Sequence, residues 1–149
     1  MSRTTARSAA MQMIFECVSG GQGGEETLKM IYDELRKNGA ADGTVIGKKE
    51  PDEEDRAFIT ESFNGVLSHL DELDERINRT AKGWTTERMS LVDLTILRLA
   101  AWEILYNPDI PDNVSVAEAL EMTEKYSDPE DKPFVNGILG TIVREHAAE

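Results

Sequence analysis

The sequence predicts an all-α protein, on three observations. Apolar residues recur at spacings of three and four in separate stretches along the whole chain, glycine and proline stand between those stretches, and none of them alternates as a half-buried strand does. With 149 residues, 40% of them hydrophobic, the chain has the size of one domain and can bury a core without metal or disulfide. Cys17 stands alone, which excludes an intramolecular disulfide, and His69 and His146 form no cluster of zinc-ligand spacing. The N-terminus lacks the apolar stretch of a signal peptide, and nowhere do about 18 apolar residues run together. A soluble, untargeted, cytoplasmic protein with no membrane association is therefore expected.

Ala6, Ala10, Met13, Ile14 and Cys17 define a first helix over about residues 4–18, closed by Gly20, Gly21, Gly23 and Gly24. Leu28, Ile31, Tyr32 and Leu35 define a second, which stops at Asn38-Gly39. Residues 39–50 read as a loop, and Pro51-Asp52 followed by acids opens a third helix with favourable charge at its positive end. Ile59, Phe63, Val66, Leu70, Leu73 and Ile77 then alternate by four and three, so one unbroken helix, the longest of the chain, is expected there.

A break at Lys82-Gly83 precedes Trp84, and Ser90 with Asp93 three residues on is a helix-start signature. The segment that follows, LVDLTILRLAAWEILY, is apolar almost all round and should be the buried centre. Arg98 inside it calls for a salt bridge to an acid or a side chain reaching back to water. Pro108 and Pro111 end this helix. Ser115 with Glu118 repeats the start pattern and predicts a helix from there to about Tyr126, stopped by Asp128-Pro129. Pro133, at a first helical position, opens the last helix, which carries Val135, Ile138, Leu139, Ile142 and Val143.

The charge balance bears on function. The 16 Lys and Arg against 29 Asp and Glu leave −13, which opposes nucleic-acid binding by repelling phosphate. The sign is uneven, because the first 15 residues carry Arg3 and Arg7 and no acid. A basic tip thus sits on an acidic body that suits a basic protein partner. No nucleophile stands with a paired base, and the carboxylates fall on helix starts and solvated faces, so no catalytic residue, metal or cofactor is expected. Arg3 and Arg7, four residues apart, share one helix face if the first helix starts early. In KPFVNGILGTIV, Gly137 and Gly140 each cost a helix about 1 kcal/mol relative to Ala. Either a neighbouring helix approaches closely there, or a ligand does. In the second case the helix start offers N–H groups to phosphate, Phe134 stacks on a base and Asn136 bonds to a base edge.

Four motifs stand in one order: ARSAAMQMIF near the start, WTTER ahead of DLTILRLAAWE, DIPDNVSVAEALE, and KPFVNGILGTI. Together they resemble the NusB family of transcription antitermination factors over nearly the whole chain apart from the Gly-rich and 39–50 loops. The resemblance implies one RNA-binding domain over 1–149, a bundle of about seven helices, without catalytic activity. Its N-terminal helical subdomain would span about 1–82 and its C-terminal one about 83–149. The resemblance further implies binding to boxA-type single-stranded RNA of nascent ribosomal RNA, as a heterodimer with the small-subunit ribosomal protein NusE. Read-through by the RNA polymerase antitermination complex would follow.

Carried over residue by residue, the RNA contacts would be Arg3, Arg7, Gln12 and Phe15, joined by Lys132, Phe134 and Asn136. The protein-partner contacts would chiefly be Glu87 and Asp93. The arginine run is reduced here to Arg3 and Arg7, Ala117 stands where many relatives have Asn, and Pro133 replaces a basic residue, so weak RNA binding by the isolated chain is expected. The acidity also fits a different role, a helical adaptor or homodimer that contacts protein but no RNA. The family's domain occurs too at the front of ribosomal RNA methyltransferases; with the sequence ending at Glu149, a freestanding factor is expected.

Overall fold

The computed structural model describes residues 1–21, 23–38, 51–81 and 89–149. Among them are seven α-helices and no strand: α1 (Arg3–Val18), α2 (Glu25–Asn38), α3 (Glu53–Ser68), α4 (Leu70–Thr80), α5 (Leu91–Tyr106), α6 (Asp112–Tyr126) and α7 (Lys132–Ala147). A 3-10 turn, Pro129–Asp131, leads into α7. The 39–50 loop and the Lys82-Gly83 break with Trp84 lie outside the described residues. No helix among the described residues is long and apolar enough to cross a membrane.

The chain divides into two compact units, Met1–Asn64 and Gly65–Glu149. The division falls within α3, and α4 packs on α5 and α7. In the first unit α1 packs on α2. Ser2 caps α1, its Oγ accepting from the Thr5 amide at 3.0 Å. At the other end the Gly20 amide bonds to the Cys17 carbonyl and the Gly21 amide reaches back to Glu16 at 2.9 Å. Gly20 takes φ +101°, so this is a Schellman stop that a residue with a Cβ would strain. The buried face of α1 includes Ala6, Ala9, Ala10, Met13 and Ile14.

In the second unit α5 packs on α4, α6 and α7 and is buried from Asp93 to Ile104. Ser90 caps it as the sequence predicts, its Oγ accepting from the Asp93 amide at 3.1 Å. The two charges in its middle, Arg98 and Glu103, are both answered. Arg98 donates from Nε and Nη2 to the two carboxylate oxygens of Asp74, each at 2.7 Å. Glu103, only 1% exposed, accepts from the Ser115 hydroxyl at 2.8 Å.

Two helix expectations are corrected. The apolar stripe from Ile59 to Ile77 is carried by two helices, because the chain breaks at His69. Its imidazole Nδ1 bonds at 2.7 Å to the Gly65 carbonyl, the acceptor that the His69 amide would use in an unbroken helix. A carbonyl only accepts, so Nδ1 carries the proton. The amide turns instead to Val66 at 3.1 Å, and α4 restarts with the Leu73 amide on the His69 carbonyl. The second correction concerns α6, which starts at Asp112 rather than Ser115. The Pro111 carbonyl accepts from the Val114 and Ser115 amides, and the Ser115 hydroxyl is spent on Glu103 instead of on a cap.

Candidate nucleic-acid interface

α1 begins at Arg3, early enough to put Arg3 and Arg7 on one face. Both guanidinium groups lie over the ring of Phe58 on α3, with Cζ at 4.7 Å and 5.4 Å from its centroid. Arg3 is a rim group: its Nη2 donates to Glu54 at 2.7 Å, its Nη1 lies 3.6 Å from Asp55, and its side chain stays 41% exposed. Arg7 is different, being only 3% exposed. In this arrangement it supports the tip from beneath rather than presenting a charge to solvent. Gln12 and Phe15 are half-buried further along α1. The Met1 ammonium completes the cluster 3.6 Å from Asp55.

The other group belongs to the second unit. Lys132, in the first turn of α7, donates to Glu124 of α6 at 2.8 Å. Phe134 is half-buried and Asn136 exposed. Among the described residues the glycines beside them do not serve helix packing: a Cβ on Gly137 would meet nothing within 4 Å, and one on Gly140 would meet the Arg144 side chain, at 3.4 Å. Among the described residues, close approach of a neighbouring helix, one of the two explanations for these glycines, is thereby removed. What remains is an open spot on the α7 surface at Gly137, beside exposed Asn136.

Of the two acids assigned to a protein partner, Glu87 lies outside the described residues. Asp93 is 4% exposed and its carboxylate works internally, accepting from the Ser127 hydroxyl at 2.6 Å. Its hydrogen bond with Asp131 is the largest cause pushing that carboxyl up to about 6, reinforced by desolvation and by the negative charges of Asp93, Asp128 and Glu130. Asp93 therefore fixes the segment between α6 and α7 instead of offering an exposed charge. Phe58, Glu54 and Asp131 were not singled out by the sequence. No spacing in the chain links residues 54–58 to residues 3–7, so only the fold reveals that cluster.

Known proteins share both sequence and fold. The NusB family model matches residues 4–144. The transcription antitermination protein NusB of Geotalea daltonii is 40% identical over 141 residues, spanning 95% of this chain and 93% of that protein. That of Clostridium botulinum (strain Hall) is 33% identical over 143 residues, spanning 96% and 100%. Among solved structures, T. maritima NusB matches with a TM-score of 0.78 at 30% identity, over 99% of this chain and 94% of that one. The fold is shared as well, at a TM-score of 0.75 and 21% identity over 96% of each chain, with a crystal structure of antitermination factors NusB and NusE in complex with dsRNA. With sequence matched almost from end to end and the same helical fold, the chain belongs to the NusB family, whose members are transcription antitermination proteins and not enzymes.

Proposed function

We propose that this protein is a cytoplasmic antitermination factor that binds boxA-type single-stranded RNA of nascent ribosomal transcripts. It does so with a NusE-type ribosomal protein, within the RNA polymerase antitermination complex. The observation that carries this reading is the open Gly137 face of α7 beside exposed Asn136. A helical glycine forgoes about 1 kcal/mol relative to Ala, and among the described residues no side chain uses the space gained at Gly137. A ribose-phosphate backbone can approach such a surface closely, leaving Phe134 to stack and Asn136 to bond to a base edge. Arg3 supplies positive charge at the exposed tip of α1, with Arg7, Gln12 and Phe15 shaping the same helix. Lys132 is the basic residue at the start of α7. The solved NusB–NusE–dsRNA assembly supports both classes of partner.

An overall charge of −13 makes the isolated chain a weak RNA binder, and a basic partner docked on its acidic surface corrects the sign. Glu87 and Asp93 are the acids assigned to that contact, Asp93 through the segment it holds. Hydrogen exchange with and without RNA and partner tests the reading. RNA is expected to protect residues 3–15 and 132–141; protection confined to other helices would overturn the assignment.

The protein-only adaptor or homodimer draws on one observation: Arg3 and Lys132 are already paired with acids and Arg7 is buried. In that case the partner alone, or a second copy, would give all the protection and RNA would add none.

A further inference from the structure

The cluster at the tip of α1 places the exposed arginine of the RNA reading in the grip of the protein's own acids. We propose that Glu54 is an intramolecular competitor for RNA phosphate at Arg3, an inference that rests on the RNA reading above. Glu54 presents its Oε1 to Arg3 Nη2 at 2.7 Å, a contact of the kind a phosphate oxygen makes with a guanidinium. The two neighbouring acids of α3 differ in what holds them. Asp55 is buried, faces the Met1 ammonium at 3.6 Å and accepts from the Asp52 amide at 3.3 Å, so it stays satisfied if Arg3 turns away. The Glu54 side chain is 81% exposed, so water can solvate its carboxylate once Arg3 is released. Phe58 lies under the guanidinium and provides a platform that an edge-on phosphate does not displace. Phosphate therefore exchanges with Glu54 alone, and the protein carries a built-in threshold against weak, non-specific RNA.

Anisotropy titrations of a fluorescent boxA-type RNA against a scrambled RNA, with and without the NusE-type partner, test this on four variants of the full chain. These are Glu54→Gln, the same-turn control Glu53→Gln, Arg3→Ala, and Arg3→Ala with Glu54→Gln. An exposed ion pair of this kind corresponds to an affinity gain of about two- to fivefold for Glu54→Gln. The control should gain less, and the gain should vanish in the Arg3→Ala background. Equal affinities for wild type and Glu54→Gln, or an undiminished gain without Arg3, would overturn the competition. Selective wild-type binding alongside either result leaves the RNA reading standing. If neither wild type nor Glu54→Gln prefers boxA over scrambled RNA even with partner, both fall, whereas selectivity gained only on Glu54→Gln supports the competitor. The exposure of Glu54 keeps the variant folded, which circular dichroism checks.

Discussion

A Cβ placed on Gly65 of α3 would stand 2.2 Å from Cε2 of Trp102 on α5, so the indole occupies the space a side chain would need. In most helices Gly→Ala gains about 1 kcal/mol. Here overpacking against a largely buried Trp costs about 1–3 kcal/mol or more and decides the sign. Gly65→Ala is expected to lower the midpoint of urea unfolding; a raised midpoint would mean that Trp102 moves aside freely.

Gly137 is the opposite case. Nothing lies within 4 Å of a Cβ there, so Gly137→Ala should stabilise the fold by about 0.5–1 kcal/mol. If RNA uses that face, the same variant should bind RNA less well while melting at a higher temperature. Higher stability with unchanged RNA affinity would remove this face from the interface.

The two-pronged contact between Arg98 and Asp74 predicts a strongly asymmetric response. The Arg98 side chain is 11% exposed, so Asp74→Ala leaves a nearly buried guanidinium without its carboxylate and should cost about 3 kcal/mol. Replacing both, as Asp74→Leu with Arg98→Met, should recover much of that loss by apolar packing. Equal losses for the single and double variants in chemical denaturation would count against this.

The Asp93–Asp131 pair gives the stability a pH dependence. An unfolded aspartate titrates near about 3.9, whereas Asp131 holds its proton to about 6. Between those values the folded chain binds the extra proton, so this pair's contribution is complete at low pH and is lost as pH rises through about 6. Asp131→Asn keeps a donor for Asp93 without a titrating proton. It should melt above wild type at pH 8, with the difference closing near pH 4. A constant difference across that range would show that Asp131 does not carry the titration.

Helices were legible in the sequence wherever a local rule decided them. The Ser90 cap, the glycine stop after α1 and the apolar α5 all follow from spacing and residue type. The break at His69 was not legible, because neither Gly nor Pro marks it and the apolar stripe runs straight through; a side chain competing for the Gly65 carbonyl makes it. Ser115 misled for a related reason, since its hydroxyl had a better partner in buried Glu103, distant in sequence. At the candidate site the residue types on α1 and α7 were legible, and so was the need for Arg98 to find an acid. The burial of Arg7 and the grip of Glu54 on Arg3 depend on α3 meeting α1, which no spacing encodes.

The most direct test of the central claim is an anisotropy titration of labelled boxA-type RNA with this protein, alone and with its NusE-type partner, against scrambled RNA. Weak binding alone and tighter, boxA-selective binding with the partner is the expected result. A folded, verified complex that binds both RNAs equally would contradict the antitermination reading and leave a protein-only adaptor in its place.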